Sequence, residues 1–577
     1  MSGAAQPVTR RTGARGFPLL LSFFLLLLAA PPAAAHGGVY RGPTGPGSAG
    51  PVSPGGVPTK GGAAPFTGWP RWRYWWDLNW DRVLDTRVRL ASAAATFAAD
   101  EGGEKGGVDW RDYRPLSPAE KERLLLPPLL EALNDADAEV RAAAALALGK
   151  AAAPASLKAL TGRLGDKERL VRNAACLALG LTRLSEAEAV MLRYFRSQGI
   201  KDETRAWLAV GLGYLGTRPA CSALIAKLQA LTGKSVPNAD KQLLSCCAAG
   251  LSVCRSPSVV PEIIHILDRA EGRKSDVQGL LLLALGKIGD RRALSAVVRR
   301  LDHDKANIRL GAMIGASLLA EPRDGEVVAR LSRLAAEEPQ VTSRALALVA
   351  LGRVGGPALR ERLRRSPVLA GKGLMASALE TFAATGLVLA GGPAVGSLAD
   401  SDPAKRGAFA MCHAIAGDRS CTGRLAALLA QEKNPGAFSE MALAAGMLRA
   451  REARPLLRRV LAEEKRAEFR TAAAIALGFL GDAQALDMVL QLLARASSAR
   501  QQGPLLFAAT LFGRRKCVER IVELLRRRGV QDSVRALCCV ALGNIGDSRR
   551  HPVLSDLTHD FPWPLGSPVL NQILRLY

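Results

Sequence analysis

The residues able to do chemistry are few in this chain of 577 residues: ten cysteines, six histidines and a cluster of tryptophans near residue 75. The cysteines lie in small, apolar helical runs such as the one around Cys176, which predicts buried thiols rather than a disulfide framework. Cys246, Cys247 and Cys254 are close enough in sequence to form one local bridge. Cys412-His413 with Cys421 is too sparse for a zinc site, which usually needs four closely spaced ligands. We therefore expect no metal and no other cofactor.

The common catalytic motifs are missing from the sequence. It has no Gly-rich phosphate loop, no Gly-x-Ser-x-Gly and no His-Glu-x-x-His. If the first 35 residues are removed, His36 becomes the N-terminus, and its amine and imidazole could chelate a metal such as copper; an ordinary surface histidine is the other interpretation. The pattern favours a protein that is not an enzyme.

Five of the eight tryptophans lie between Trp69 and Trp80. Trp72, Trp75, Trp76 and Trp80 recur at helical spacing, so they share one face of a predicted helix. Such a face can be an aromatic platform for a ligand, or a cap that covers the end of a larger array. We expect a cap, with the ligand platform as the alternative.

The formal net charge is +26. Arginines occur in pairs and triplets such as Arg526-Arg527-Arg528, interleaved with glutamates, which is typical of a solvated helix face. The alternative is a basic surface that binds an anionic envelope polymer or nucleic acid.

The first 35 residues have the order of a secretory signal peptide: Arg10, Arg11 and Arg15, an apolar run over 17–30, and small residues at 33–35. The apolar run is shorter than the roughly 20 residues of a membrane-spanning helix. Of the 32 residues over 37–68, 17 are Gly or Pro, so residues 36–68 are predicted to be a disordered neck. We expect Sec-type export to the periplasm, the cell envelope or the medium, without a membrane span.

A repeat follows, with steps of about 31 to 37 residues between its markers. Its clearest marker is Leu-Gly, found at Leu148-Gly149, Leu179-Gly180, Leu212-Gly213, Leu285-Gly286, Leu351-Gly352, Leu477-Gly478 and Leu542-Gly543. Each unit has an apolar helix, a turn containing Asp, a Val-Arg or similar pair, and a second, Ala-rich helix. The Asp is expected to cap the second helix, the alanines to allow close packing, and the Gly to end the helix in a left-handed conformation.

These units resemble HEAT repeats, including the short variety of phycobilin lyase-like proteins, over residues 118–550. The resemblance implies an all-α fold, a right-handed α-solenoid of about 13 helical hairpins. It also implies a ladder between successive units made by the recurring arginines, which are alternatively contacts to a ligand on the concave face: Arg141, Arg172, Arg205, Arg309, Arg344, Arg470 and Arg535.

The array has predicted ends as well. Ser117-Pro118-Ala-Glu120 has the form of a capping box with Pro at the first helical position. Residues 69–117 are expected to form the N-terminal cap and residues 551–577, which break the repeat, the C-terminal cap. In order, the domains are the signal peptide (1–35), the neck (36–68), the Trp-rich cap (69–117), the array (118–550) and the closing cap (551–577).

This organisation resembles exported HEAT-repeat proteins of planctomycete bacteria. The resemblance supports the architecture and the export. Because a solenoid offers a long curved surface, we expect a non-catalytic scaffold that binds protein partners along the concave face of the solenoid. Binding of an anionic polymer is the alternative, and a HEAT-fold enzyme such as a lyase is less favoured. HEAT-fold hydroxylases use His-Glu dipeptides to bind iron, and no His-Glu occurs in this chain.

Overall fold

The computed structural model describes residues 116–546, apart from short gaps at 201, 233–237, 255, 271–274, 340, 367, 370–375, 497–498 and 513. The signal peptide, the neck, the Trp-rich region with Trp72, Trp75, Trp76 and Trp80, and the C-terminal segment 551–577 lie outside the described residues. Every regular element in the described part is a helix. The predicted all-α solenoid is confirmed.

The helices form two layers, which alternate along the chain. The inner layer contains the thirteen Ala-rich helices: α3 (Ala138–Ala151), α5 (Arg169–Thr182), α7 (Asp202–Leu215), α9 (Asn238–Cys254), α11 (Ser275–Ile288), α13 (Ala306–Leu319), α15 (Val341–Val354), α17 (Ala376–Leu389), α18 (Pro403–Ala416), α20 (Pro435–Leu448), α22 (Ala467–Phe479), α24 (Ala499–Phe512) and α26 (Asp532–Gly546).

The outer layer contains the remaining helices: α1 (Pro118–Leu124), α2 (Leu126–Ala132), α4 (Leu157–Gly162), α6 (Ser185–Arg196), α8 (Arg218–Thr232), α10 (Val260–Arg269), α12 (Leu294–Val298), α14 (Gly325–Glu337), α16 (Pro357–Arg364), α19 (Thr422–Leu429), α21 (Arg454–Glu463), α23 (Ala483–Arg495) and α25 (Arg514–Arg526). In the unit of α18 the outer helix is replaced by residues 390–402, which are irregular.

Local signals position these helices as the sequence predicts. The capping box is present: the Ser117 hydroxyl accepts a bond from the Glu120 amide at 3.3 Å, and the Glu120 carboxylate accepts one from the Ser117 amide at 2.9 Å. At the start of α3, Asp137 accepts bonds from the amides of Glu139 and Val140. Each bond satisfies a backbone donor that the first turn of a helix leaves unpaired.

The glycine of the Leu-Gly marker has a different role from the predicted one. Gly149 does not end its helix, because α3 continues to Ala151. A Cβ at Gly149 would lie only 2.6 Å from backbone atoms of Ala178 on the next inner helix, and one at Gly180 would lie 2.1 Å from the Gly211 carbonyl oxygen. These glycines let neighbouring backbones approach closely, and left-handed helix ends occur at later positions such as Gly289 and Gly481.

The thirteen inner helices form a closed ring. Each packs against the inner helix before and after it, and the last, α26, packs against the first, α3. At this seam Gly543 faces Ala147, in the same way that Gly149 faces Ala178. The two end faces that the predicted caps were meant to cover are therefore in contact with each other. The solenoid is a ring rather than an open superhelix.

Three sides of each inner helix are occupied, by the two neighbouring inner helices and by the outer layer. The fourth side carries an apolar residue at one repeat position, which we call the inner row: Leu146, Leu177, Val210, Ala249, Leu283, Ile314, Val349, Met411, Leu443, Ile475 and Val540. All of these are buried except Val540, which is half-buried. At this repeat position the concave side of the array is thus apolar.

Candidate interaction surfaces

The predicted arginine ladder is best seen at Arg141. Its Nε and NH2 donate to the Asp166 carboxylate of the next unit at 3.2 and 3.1 Å, and its NH1 donates to the carbonyl oxygens of Asp135 and Ala136 in its own turn. Both side chains of the pair are buried. The guanidinium therefore joins two consecutive units and holds its own turn in place.

The same geometry recurs at Arg309 and Arg535. Arg309 donates to the carbonyl oxygens of His303 and Asp304 and to the Glu338 carboxylate of the next unit at 2.6 Å. Arg535, in the last unit, pairs with Asp135 of the first unit, with its NH2 3.2 Å from Oδ1. Its ladder contact crosses the seam and helps to close the ring.

At Arg172, Arg344 and Arg470 the described part of the chain shows no ladder contact with an acid, and at Arg205 it shows contacts with carbonyl oxygens of the preceding turn. Arg172 donates to the carbonyl oxygens of Asp166 and Lys167, Arg205 to those of Ser197 and Ile200, and Arg344 to that of Ala335. Arg470 is half-buried, and its guanidinium has no hydrogen-bond or ion-pair partner among the described residues. In the unit before it, the ladder position is Phe438, whose ring packs 4.5 Å from that of Phe469.

Sequence reasoning missed one ladder residue, Arg406. Its Nε and NH2 donate to the Glu432 carboxylate at 2.7 and 3.1 Å, and its NH1 donates to the carbonyl oxygens of Asp400 and Ser401. The Val-Arg pair is absent here because Lys405 precedes Arg406. The usable signal was the spacing from Asp402 to Arg406, which is the spacing from Asp137 to Arg141.

The ladder contacts perturb the acids in a consistent direction. Burial alone would raise the pKa of Asp166, but hydrogen bonds from Arg141 and from the Glu168 amide hold it below its ordinary value. Burial also raises the pKa of Glu432, but the hydrogen bonds from Arg406 lower it. The pKa of Glu432 is therefore below its ordinary value. Both acids are thus charged over a wider pH range than exposed carboxylates, as partners of an arginine should be.

All ten cysteines lie within the described residues and are buried thiols, as predicted. The proposed bridge among Cys246, Cys247 and Cys254 is not formed, and the Cys254 thiol instead shares a hydrogen bond with Cys221 on the outer helix α8. Burial raises the pKa of Cys538 to about 12. A buried thiol with a raised pKa is a poor nucleophile, since the thiolate is the reactive form.

The exposed part of the ring is its outer layer. Between α19 and α21 a shallow groove has a floor of Ala426, Ala427, Ala430, Pro455 and Leu456. Glu452 and Arg459, both exposed, stand at its sides. We call this the α19–α21 groove; its small floor residues leave room for an apolar segment, and its two side charges can orient one.

The outer layer also carries basic residues. Arg526 pairs with Glu131 across the seam, with NH2 to Oε2 2.7 Å, while Arg527 and Arg528 are exposed. No helix in the described part of the chain is both long and apolar enough to cross a membrane.

Comparisons with known proteins agree with the repeat. The family of HEAT repeats matches residues 126–213 and 422–503, two separate arcs of the ring. No curated protein sequence matches this chain significantly.

Several solved structures are similar at low identity. The complex of CpcE and CpcF of phycocyanin lyase from Nostoc is 21% identical, over 40% of this chain and 86% of that one, with a TM-score of 0.29. Human deoxyhypusine hydroxylase is 17% identical, over 51% and 96%, with a TM-score of 0.21. Kap121p bound to Pho4p is 14% identical, over 81% and 56%, with a TM-score of 0.31. These scores are low and carry no information on what this chain binds. The chain is an all-α solenoid, and two of its arcs match the family of HEAT repeats.

Proposed function

We propose that this protein is a non-catalytic scaffold that binds a protein partner on the outer layer of its ring. The supporting observation is the α19–α21 groove, where an apolar floor is exposed between one acidic and one basic side chain. The concave face is a poorer candidate than the sequence suggested, because its inner row is apolar and buried. The ladder arginines are also poor ligand contacts, since several are held between two units.

A matched pair of variants tests the groove. Ala430→Arg places a large charged side chain on its floor, whereas Ala336→Arg makes the same change at an exposed position near the end of another outer helix, α14. Partners captured from envelope extract by the wild type should be lost with Ala430→Arg and retained with Ala336→Arg. Equal capture by both variants would exclude the groove as the binding surface.

The alternative partner is an anionic polymer, and the exposed Arg527 and Arg528 are the observation in its favour. Attraction to a polyanion weakens steeply as salt rises, whereas a packed protein interface weakens much less. Recovery of the same protein at low and high salt supports the scaffold. Binding that disappears between about 50 and 200 mM salt and is reduced by Arg527→Ala/Arg528→Ala supports the polymer.

We also propose export through the N-terminal signal peptide, and kinship with the exported HEAT-repeat proteins of planctomycetes. The order of basic, apolar and small residues over 1–35 supports export. Burial of all ten thiols is compatible with it, because thiols shielded from solvent resist oxidation outside the cytoplasm. Fractionation of cells that express a tagged chain tests this: export predicts mature protein starting near His36 outside the cytoplasm, and full-length cytoplasmic protein would contradict it.

The Trp-rich region lies outside the described residues, and we propose that residues 69–117 form a cap that covers apolar surface of the array with its tryptophan face. Trp75→Ala or Trp76→Ala should then lower the melting temperature of the whole protein, because each removes a large apolar surface. Unchanged melting together with loss of ligand binding would instead identify the cluster as a ligand platform.

A further inference from the structure

Three potential metal ligands come together at one turn of the ring. His413 lies near the end of α18, Asp418 follows the left-handed Gly417, and Cys421 ends the short turn before α19. His413 Nδ1 is 2.8 Å from Asp418 Oδ2, and the Cys421 Sγ donates to the Asp418 carbonyl oxygen at 3.2 Å. One ligand atom from each residue lies within 4.8 Å of the other two. The sequence alone suggested too few ligands, because it did not show that Asp418 joins the histidine and the cysteine.

The Asp418 carboxylate is fixed in orientation. Its Oδ1 accepts bonds from the Ser420 amide at 3.0 Å and the Ser420 hydroxyl at 2.6 Å, which leaves Oδ2 directed toward His413. Binding of a metal by the Cys421 sulfur requires the thiolate and would release a proton.

Other units of the ring show which residues occupy this turn where it has only a structural role. Two of them have the same Gly-Asp turn, at Gly289-Asp290 and Gly481-Asp482, and their aspartates cap the next segment as Asp418 does. The position of His413 is a buried leucine in both, and the position of Cys421 is a buried alanine in both: Leu285 with Ala293, and Leu477 with Ala485. Only the unit of Asp418, among these three, replaces both apolar residues by side chains that bind metals.

We propose that His413, Asp418 and Cys421 bind a divalent transition-metal ion of the zinc class. A set of one nitrogen, one oxygen and one sulfur ligand suits Zn²⁺ or Co²⁺ and is unsuited to Mg²⁺ or Ca²⁺, which prefer oxygen alone. The side chains of His413 and Asp418 are 14% and 32% exposed, so a water molecule can supply a fourth ligand. The ion would join the end of α18 to the start of α19. The outer helix that would precede α18 is replaced by residues 390–402.

Cobalt is the probe that tests the site, because a thiolate bound to Co²⁺ gives a charge-transfer absorption in the near ultraviolet. The full chain should bind one Co²⁺ with this absorption, and Zn²⁺ should displace it. Cys421→Ala should abolish the absorption, and Zn²⁺ should raise the melting temperature of the wild type only. Affinity should increase with pH, since the thiol must lose its proton.

The control variant is His413→Leu/Cys421→Ala, which restores the residues of the two other Gly-Asp turns and should therefore fold. It should melt normally without metal and bind no Co²⁺ at this site. The proposal is overturned if the wild type shows no thiolate absorption with Co²⁺, or if the wild type and this variant bind Zn²⁺ equally, which would place the metal elsewhere, for example at His36.

Discussion

The seam of the ring and an interface inside the array use the same contacts at very different sequence separations. Arg141 pairs with Asp166, 25 residues later, whereas Arg535 pairs with Asp135, 400 residues away. Gly149 faces Ala178 in the interior, and Gly543 faces Ala147 at the seam. For a flexible chain, closing the longer loop costs about 2.5 kcal/mol more than closing the shorter one.

The seam has contacts that offset part of this cost. Lys150 Nζ donates to Asn544 Oδ1 at 2.9 Å, and Arg526 pairs with Glu131. Its ladder pair is nevertheless more exposed than the interior one: the two side chains are 23% and 14% exposed, against 6% and 4% for Arg141 and Asp166. The ladder pair of the seam should therefore stabilise the ring less than the buried pair of Arg141 and Asp166 does.

The largest effect should come from an interior glycine. In Gly180→Ala the new Cβ would meet the Gly211 carbonyl oxygen at 2.1 Å, and both partners are helix backbone, so the helices must separate. We expect a loss of about 3 kcal/mol in the free energy of unfolding, measured by urea denaturation. In Gly543→Ala the closest atom is the Cα of Ala147 at 2.7 Å, so the clash is milder. There, we expect the ring to open with its helices intact, seen as a larger radius of gyration in X-ray scattering with unchanged circular dichroism.

Gly423→Ala is the control for both variants. Gly423 is exposed in α19, and a Cβ there meets nothing within 4 Å. Helix propensity should make this variant slightly more stable, by about 0.5 to 1 kcal/mol. If Gly543→Ala unfolds the protein as completely as Gly180→Ala, the seam is not a separate, weaker interface.

The ladder acids should show the next largest difference. Asp166→Ala leaves the buried guanidinium of Arg141 without its carboxylate, which should cost about 3 kcal/mol. Asp135→Ala removes the partner of a more exposed arginine, so about 1 kcal/mol is expected. Each change also removes the acceptor of one backbone amide, that of Glu168 for Asp166→Ala and that of Asp137 for Asp135→Ala. The two variants are therefore matched in the hydrogen bond that each loses within its own turn. Equal losses in urea denaturation would mean that burial does not determine the strength of the ladder.

Sequence pattern was sufficient for the helices and for part of the ladder. It identified Arg141, Arg309 and Arg535 because Val-Arg or a similar pair marks the same point of each unit. The pattern missed Arg406, because Lys405 stands where a valine precedes the arginine in the clear units. It predicted a ladder contact for Arg172 that is not observed, because the next unit has Gly199 at the position of the acid. Whether an arginine pairs depends on a residue of the following unit, and the repeat of one unit does not contain that information.

Ring closure could not be predicted for a related reason. A local repeat determines how each unit packs on the next, but closure depends on the sum of thirteen small rotations. Asp135 indicates the seam in the sequence, because it has the spacing of a ladder acid although it lies in the first unit of the array. Similarly, the cluster at Asp418 depends on the left-handed turn at Gly417, which brings His413 and Cys421 to the same carboxylate.

Acid should weaken the interior ladder. The pKa values of Asp166 and Glu432 are lowered in the folded protein, so their contribution to stability is complete above the unfolded pKa and is lost as the pH falls through the folded one. The loss should begin near pH 4, where free carboxylates titrate, and continue below it. The melting temperature of the wild type should therefore fall as the pH is lowered below about 4. In Glu432→Gln, which cannot be protonated at this position, the fall should be smaller, and an equal fall would exclude Glu432 as a contributor.

The smallest effect should come from the exposed ion pair at the seam. Arg526 and Glu131 are 50% and 61% exposed, and a pair in that setting contributes about 0.5 kcal/mol or less. In Arg526→Ala we expect nearly unchanged urea denaturation at moderate salt. The contact can nevertheless influence closure, because the seam has no short covalent connection and depends on the sum of weak contacts. X-ray scattering at low and high salt should show a larger radius of gyration for Arg526→Ala than for Arg520→Ala, whose arginine pairs with Glu523 within α25. If the two variants scatter alike, the Arg526 pair is incidental to closure, and the other contacts of the seam hold it.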